Sequence, residues 1–165
     1  MPATLSGEVN RVLRRVRACE FSTLAKTGRP VTWPMAFLWK PEENEFVLSS
    51  SISVARKAEH INRDDRVCLL MSDFTGSALP GSAPAVLVQG RATAPEEILT
   101  VEGLEDFWAE LFRKRPAGAV ETLDPEIRKQ FHPSFYWRLR ITVTPEKVWA
   151  FRKDAMGATE LERVA

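Results

Sequence analysis

Residues 46–61 read FVLSSSISVARKAEHI. Phe46, Val47 and Leu48 have the bulky apolar character of a short strand. A serine cluster follows (Ser49, Ser50, Ser51 and Ser53), and Arg56 and Lys57 then open a segment of good helix formers. Ser53 reads as the N-cap of a helix that runs to about Asn62. A helix N-terminus presents unpaired N–H groups and partial positive charge, so it attracts anions and disfavours cations. Two cations placed there, beside several hydroxyls, are the parts of a phosphate cradle. A serine-rich turn with an ordinary cap and two solvated basic residues accounts for the same letters. Local physics leaves both readings open.

Upstream of this stretch, Glu20–Lys26 and Val31–Lys40 read as two strands joined by Thr27-Gly28-Arg29-Pro30, a strong turn signal. Val31, Trp33, Met35, Phe37 and Trp39 share one side of the second strand. Pro34 sits in its middle. Proline cannot donate to a ladder, so this position is a plain edge, a bulge, or a place where backbone is left free for a ligand. Pro41–Asn44 turns into a third strand, Glu45–Ser50. Nearer the N-terminus, Leu5, Val9, Val12, Leu13 and Val16 line one face of a helix within residues 1–17, with Arg11, Arg14, Arg15 and Arg17 mostly off that face.

Downstream, Arg66–Asp73 is largely apolar, as a central strand would be. Phe74–Pro84, rich in Gly, Ser and Pro, reads as a mobile loop. Ala85–Thr93 is a fifth strand, in which Gly90 signals a bulge or a close backbone approach. Residues 95–131 read as a helical insert. Pro95 occupies its first turn, Leu104, Phe107, Trp108 and Leu111 supply its apolar face, and Asp124-Pro125 starts a shorter helix. Phe135–Thr144 and Lys147–Phe151 are the sixth and seventh strands, separated by a turn at Pro145-Glu146, and 152–165 is a loose tail. The order predicts a mainly β, α+β fold of about six to seven short antiparallel strands, closed into a small barrel that hides its edges. One domain over residues 1–165 is expected from the length.

The bulk numbers narrow the function. With 23 basic and 22 acidic residues the net charge is +1, which gives no electrostatic reason to expect nucleic acid or a membrane surface as partner. No apolar run reaches spanning length. Cys19 and Cys68 sit in apolar segments and read as reduced, buried side chains of a cytoplasmic protein. His60 and His132 are far apart in sequence, and no Cys/His spacing suggests a metal site. His60, well inside its helix, reads as an edge or capping residue. No P-loop, nucleophile elbow or dinucleotide-binding glycine pattern is present. An enzyme built this way would take its chemistry from a cofactor, and no catalytic side chain is named.

The ordered pattern resembles the FMN-binding split-barrel family, which includes pyridoxamine 5′-phosphate oxidases and deazaflavin-dependent reductases. The resemblance is carried by the opening hairpin Phe21–Met35, the Leu48-Ser-Ser-Ser segment with Ala55-Arg-Lys, Asn62–Leu70, Val86–Thr93 and Pro145–Phe151. It covers roughly residues 18–151. It implies a split barrel, a homodimer with cofactor sites at the subunit interface, and an FMN-dependent oxidoreductase that passes hydride to or from a small organic substrate. It implies that backbone at Thr32, Trp33, Pro34 and Met35 lies against the isoalloxazine. Ser49, Ser50, Ser51, Arg56 and Lys57 would hold the phosphate. Trp149 would cover the ring from the partner chain, although core packing accounts for that tryptophan equally well. The alternatives are a reductase using the deazaflavin coenzyme F420, and a non-enzymatic carrier of flavin or haem. Trp137-Arg138-Leu139-Arg140 matches the basic and aromatic C-terminal signature of the vitamin B6 oxidases only loosely, which counts against that activity.

Overall fold

The computed structural model describes residues 5–72, 83–117, 124–153 and 156–165. The N-terminal helix α1 (Gly7–Arg15) follows the predicted phase: Leu5, Val9, Val12, Leu13 and Val16 are all buried. Ser6 caps it, its Oγ accepting from Val9 N at 3.4 Å, with Glu8 in the first turn and Arg14 and Arg15 in the last, as the helix dipole favours. Ser6→Ala is expected to cost about 1 kcal/mol, readable as a shift of the urea midpoint at unchanged slope; a shift indistinguishable from zero would mean the cap adds nothing.

Strands β1 (Cys19–Leu24) and β2 (Pro30–Met35) form the predicted hairpin, with Gly28 at φ +79° in its turn, a conformation glycine adopts without strain. The long alternating run that follows is divided. The chain leaves the ladder at Ala36 and resumes as β3 (Phe37–Lys40), which pairs with β4 (Glu45–Ser51). Strands β5 (Arg66–Met71), β6 (Ala85–Thr93), β7 (Arg138–Lys153) and β8 (Thr159–Arg163) complete one antiparallel sheet, ordered β2-β1-β5-β6-β7-β4-β3 with β8 also on β7. β2 and β3, separated by one residue in the chain, thus stand at opposite edges. Such a link requires the sheet to curl until its edges approach, and the fold is a split β-barrel of the α+β class. Inward side chains fill it, among them Phe21, Phe46, Leu48, Leu69, Val86, Val88, Ile141 and Val148.

Helix α2 (Arg56–Arg63) packs against β1 and β6, burying Ala58 and Ile61. Helix α3 (Glu105–Lys114) lies on the other face of β3 and β4, where Leu104, Phe107 and Trp108 enclose Val47. Its Asp106 is bonded to Arg140 at 3.0 and 3.2 Å, and Lys114 lies 4.5 Å from the Phe37 ring centroid while its Nζ pairs with Glu110. A short helix α4 (Pro125–Arg128) starts at Asp124 as expected, with Asp124 Oδ1 accepting from Glu126 N.

Three expectations need correction. No helix begins at Pro95. Residues 95–104 are irregular, and Leu99 instead makes a bridge to Arg138, exchanging two backbone hydrogen bonds of 2.8 Å. Pro145 is not a turn. β7 runs through it because Gly90, opposite Pro145, sits at a register shift that absorbs the missing N–H. The tail is not loose throughout. β7 extends to Lys153, and Thr159–Arg163 pairs with it. The Phe74–Pro84 connection lies outside the described residues but for its last two. Among the described residues no helix is long and apolar enough to cross a membrane.

Candidate functional site

β2 lies at a sheet edge, so one side of its backbone has no ladder partner among the described strands. Thr32 and Pro34 are exposed on its outward face, and Thr32 Oγ1 and Ser22 Oγ share a hydrogen bond of 2.8 Å. Trp33 points to the inward face, where the register pairs it with Phe21. Met35 is buried. Pro34 is therefore an edge proline, in the position where a proline does not cost a ladder bond.

The end of β4 carries the serines. Ser50 is buried, and its Oγ reaches the carbonyls of Ser51 and Val54, both at 3.3 Å, so this hydroxyl fixes the turn into α2. Ser49 and Ser51 face the opposite side and lie across from Arg140 and Arg138. Ser53 does not cap the helix. It falls in a single 3-10 turn (Ile52–Val54), where its hydroxyl bonds Ser51 Oγ at 2.9 Å, and α2 starts only after Ala55, with no side chain capping it. The first turn of α2 thus has no side-chain cap and carries Arg56 and Lys57 where the dipole disfavours cations, with Glu59 as its one acidic residue.

The two basic residues differ. Arg56 is exposed. Lys57 is 4% exposed, with Nζ 3.5 Å from the Val54 carbonyl oxygen and 4.9 Å from the Trp33 ring centroid. Among the described residues no carboxylate pairs with it. Burial pushes its pKa down. An ammonium has three donors, and one long bond to a carbonyl leaves capacity for an anion. The tie between β2 and the start of α2 is this placement of Lys57 over Trp33, a cation–π contact. Trp33 also meets His60, ring centroids 5.8 Å apart, and His60 Nδ1 shares a 2.9 Å hydrogen bond with the buried hydroxyl of Thr23. Burial, then the nearby Arg63, lowers the His60 pKa. The sequence marked His60 as an edge residue but gave no sign of Thr23. Only the pairing of β1 with β2 brings Thr23 and Trp33 under one face of α2.

Trp149 lies elsewhere. Its neighbours Val148 and Ala150 point inward, whereas Trp149 is half-buried on the outer face, its Nε1 donating to Gln89 Oε1 at 3.3 Å. It is not core. The registers line up Pro34, Glu20, Leu70, Leu87 and Trp149 across neighbouring strands, so three strands, β1, β5 and β6, separate Trp149 from Pro34 along the curved sheet of one chain. Leu70 and Leu87 are half-buried on that same outer face.

The free thiols are poorly disposed to act as nucleophiles. Burial raises the Cys19 pKa, and pushes that of Cys68 up to about 11.

Among solved structures the fold matches a conserved hypothetical protein from Mycobacterium tuberculosis (16% identity, TM-score 0.66, covering 97% of this chain and 94% of that one). It also matches the haem storage protein HutZ from Vibrio cholerae (15%, 0.59, 93% and 99%) and an F420 reductase (16%, 0.59, 84% and 94%). At such identities the likeness concerns the fold. No curated protein matches the sequence. The family profile described as pyridoxamine 5′-phosphate oxidase matches residues 5–151, and on that span, with its split barrel, the chain belongs to the pyridoxamine 5′-phosphate oxidase family.

Proposed function

We propose that this chain binds FMN and serves as a flavin-dependent oxidoreductase acting on a small organic substrate. The observation that carries the reading is Lys57: a buried ammonium at the junction of an edge strand and an uncapped helix, with donors to spare and no carboxylate partner among the described residues. Lys57 and the exposed Arg56 would neutralise the cofactor phosphate, with the Ser51 and Ser53 hydroxyls beside them. Ser50 would hold the turn, and Ser49 would extend the polar lining. The unpaired edge of β2 from Thr32 to Met35 would lie along the ring system. When bound, the flavin supplies hydride transfer, and the protein supplies position and charge.

The same reading includes a homodimer. Within one chain Trp149 is separated from β2 by β1, β5 and β6, and the half-buried Leu70, Leu87 and Trp149 offer apolar surface to a second copy. The two free, protonated thiols suit a reducing cytoplasm.

The test is an absorbance titration of the purified protein with FMN, the deazaflavin coenzyme and haem, with Arg56→Ala/Lys57→Ala alongside. FMN binding that the double variant loses is the expected result. Preference for the deazaflavin would transfer the same cradle to a reductase of that class. Haem binding indifferent to the double change would overturn the assignment.

A further inference from the structure

A second site lies away from the cradle. Arg11, Arg14 and Arg15 of α1, Arg113 and Glu110 of α3, and Leu38 and Trp39 of β3 line a surface cleft of about 560 Å³. That volume is within the range that holds a small ligand. Four guanidiniums face one carboxylate, and that carboxylate is already committed. Glu110 accepts from Arg113 at 2.7 and 2.8 Å and pairs with the Lys114 ammonium at 3.1 Å. Arg113 is anchored further by donating to the Arg14 carbonyl at 2.6 Å, which ties α3 to the end of α1. Arg11, Arg14 and Arg15 are exposed, and among the described residues none of them has an ion-pair partner. The floor is rigid: Trp39 is buried, and its Nε1 donates to Asn10 Oδ1 at 2.9 Å.

The α1 dipole accounts for Arg14 and Arg15 in the last turn but not for Arg11, which stands three and four positions before them. Like charges at those spacings repel along a helix. Arg113 adds a further cation from a separate element. In a chain of net charge +1, this is a local concentration of positive charge that an anion would relieve.

We infer that this cleft binds a small polyanion bearing two or three phosphate or carboxylate groups, each accepted by a guanidinium fork. The cleft is separate from the cradle. It adjoins Leu38 and Trp39, paired with Val47 and Phe46, whereas the cradle occupies the far end of β4 and the start of α2.

The test is calorimetric titration at low ionic strength with tripolyphosphate and, separately, citrate. The proteins are wild type, Arg11→Gln/Arg15→Gln, Arg11→Lys/Arg15→Lys and Arg56→Ala/Lys57→Ala. Both cleft positions are exposed, so thermal midpoints should stay level and serve as the folding control. Binding of at least one anion is expected, weakened about tenfold or more in the glutamine variant, less in the lysine variant, and unchanged in the cradle variant. Tripolyphosphate alone would assign a phosphorylated ligand, and citrate alone a carboxylated one. Equal binding by the glutamine variant, loss only in the cradle variant, or no binding of either anion would overturn the inference.

Discussion

Lys57→Met is expected to weaken FMN binding by about a hundredfold while leaving the cofactor-free protein as stable as wild type, or more so. The two effects come from one geometry. In the free protein the ammonium is buried beside an indole and a carbonyl, and its desolvation is poorly repaid. Methionine has similar length, packs well against an aromatic ring and carries no charge. With phosphate present, the same ammonium would form a charge-assisted bond in a dry setting, and its loss would be felt in full. FMN fluorescence quenching gives the affinity, and urea unfolding without cofactor gives the stability. Unchanged affinity together with a clear loss of stability would show that Lys57 is only a packing element over Trp33. The pH dependence supplies a further sign. Burial lowers the folded-state pKa of Lys57 below the ordinary lysine value of 10.5. Between those two values the unfolded chain holds a proton that the folded chain has released. The Lys57 contribution to stability therefore rises with pH across that interval, and Lys57→Met removes the rise. Lys114, also lowered by burial, is common to both proteins and cancels in the comparison.

Gly90→Ala is expected to cost about 3 kcal/mol or more, the largest loss of stability from a single added methyl here. A Cβ at Gly90 would lie 2.3 Å from the Thr144 carbonyl oxygen and 3.0 Å from Pro145 Cα. Both are backbone atoms, so no rotamer change relieves the contact. Pro145 lacks an N–H, and the register shift between Gln89 and Gly90 is what lets β7 continue past it. Pushing the strands apart there disturbs the pairing of β6 with β7 at the centre of the sheet. Urea denaturation measures the loss; a midpoint equal to wild type would show that the strands separate freely at this point.

Much of the fold was legible because it rests on local signals. The apolar phase of α1, the Thr27-Gly28 turn and the glycine in β6 each carry their reason in one or two residues. The division at Ala36 was not legible. Met35, Phe37 and Trp39 keep pointing inward on both sides of it, so the alternation continues although the partner strand changes from β1 to β4. β8 was hidden for the opposite reason: its residues are all exposed, and no apolar alternation marks it. In the candidate site, the basic pair was visible and its asymmetry was not. Which of Arg56 and Lys57 turns inward depends on where α2 begins, and that follows from Ser53 being drawn into the preceding turn. Trp33 as the partner of Lys57 required the folded hairpin.

Strand order also bears on the moment at which the cradle can come into being. The register of β3 with β4 ends at Leu48, so Ser49, Ser50 and Ser51 have Arg140, Leu139 and Arg138 respectively as their strand neighbours, about 90 positions downstream. As the chain leaves the ribosome, the basic helix and the edge strand emerge early, while the serine segment between them stays without a lateral neighbour until the last fifth or so of the polypeptide has been made. A nascent chain stopped before Arg138 would hold every residue of the proposed cradle and still have no scaffold to align them.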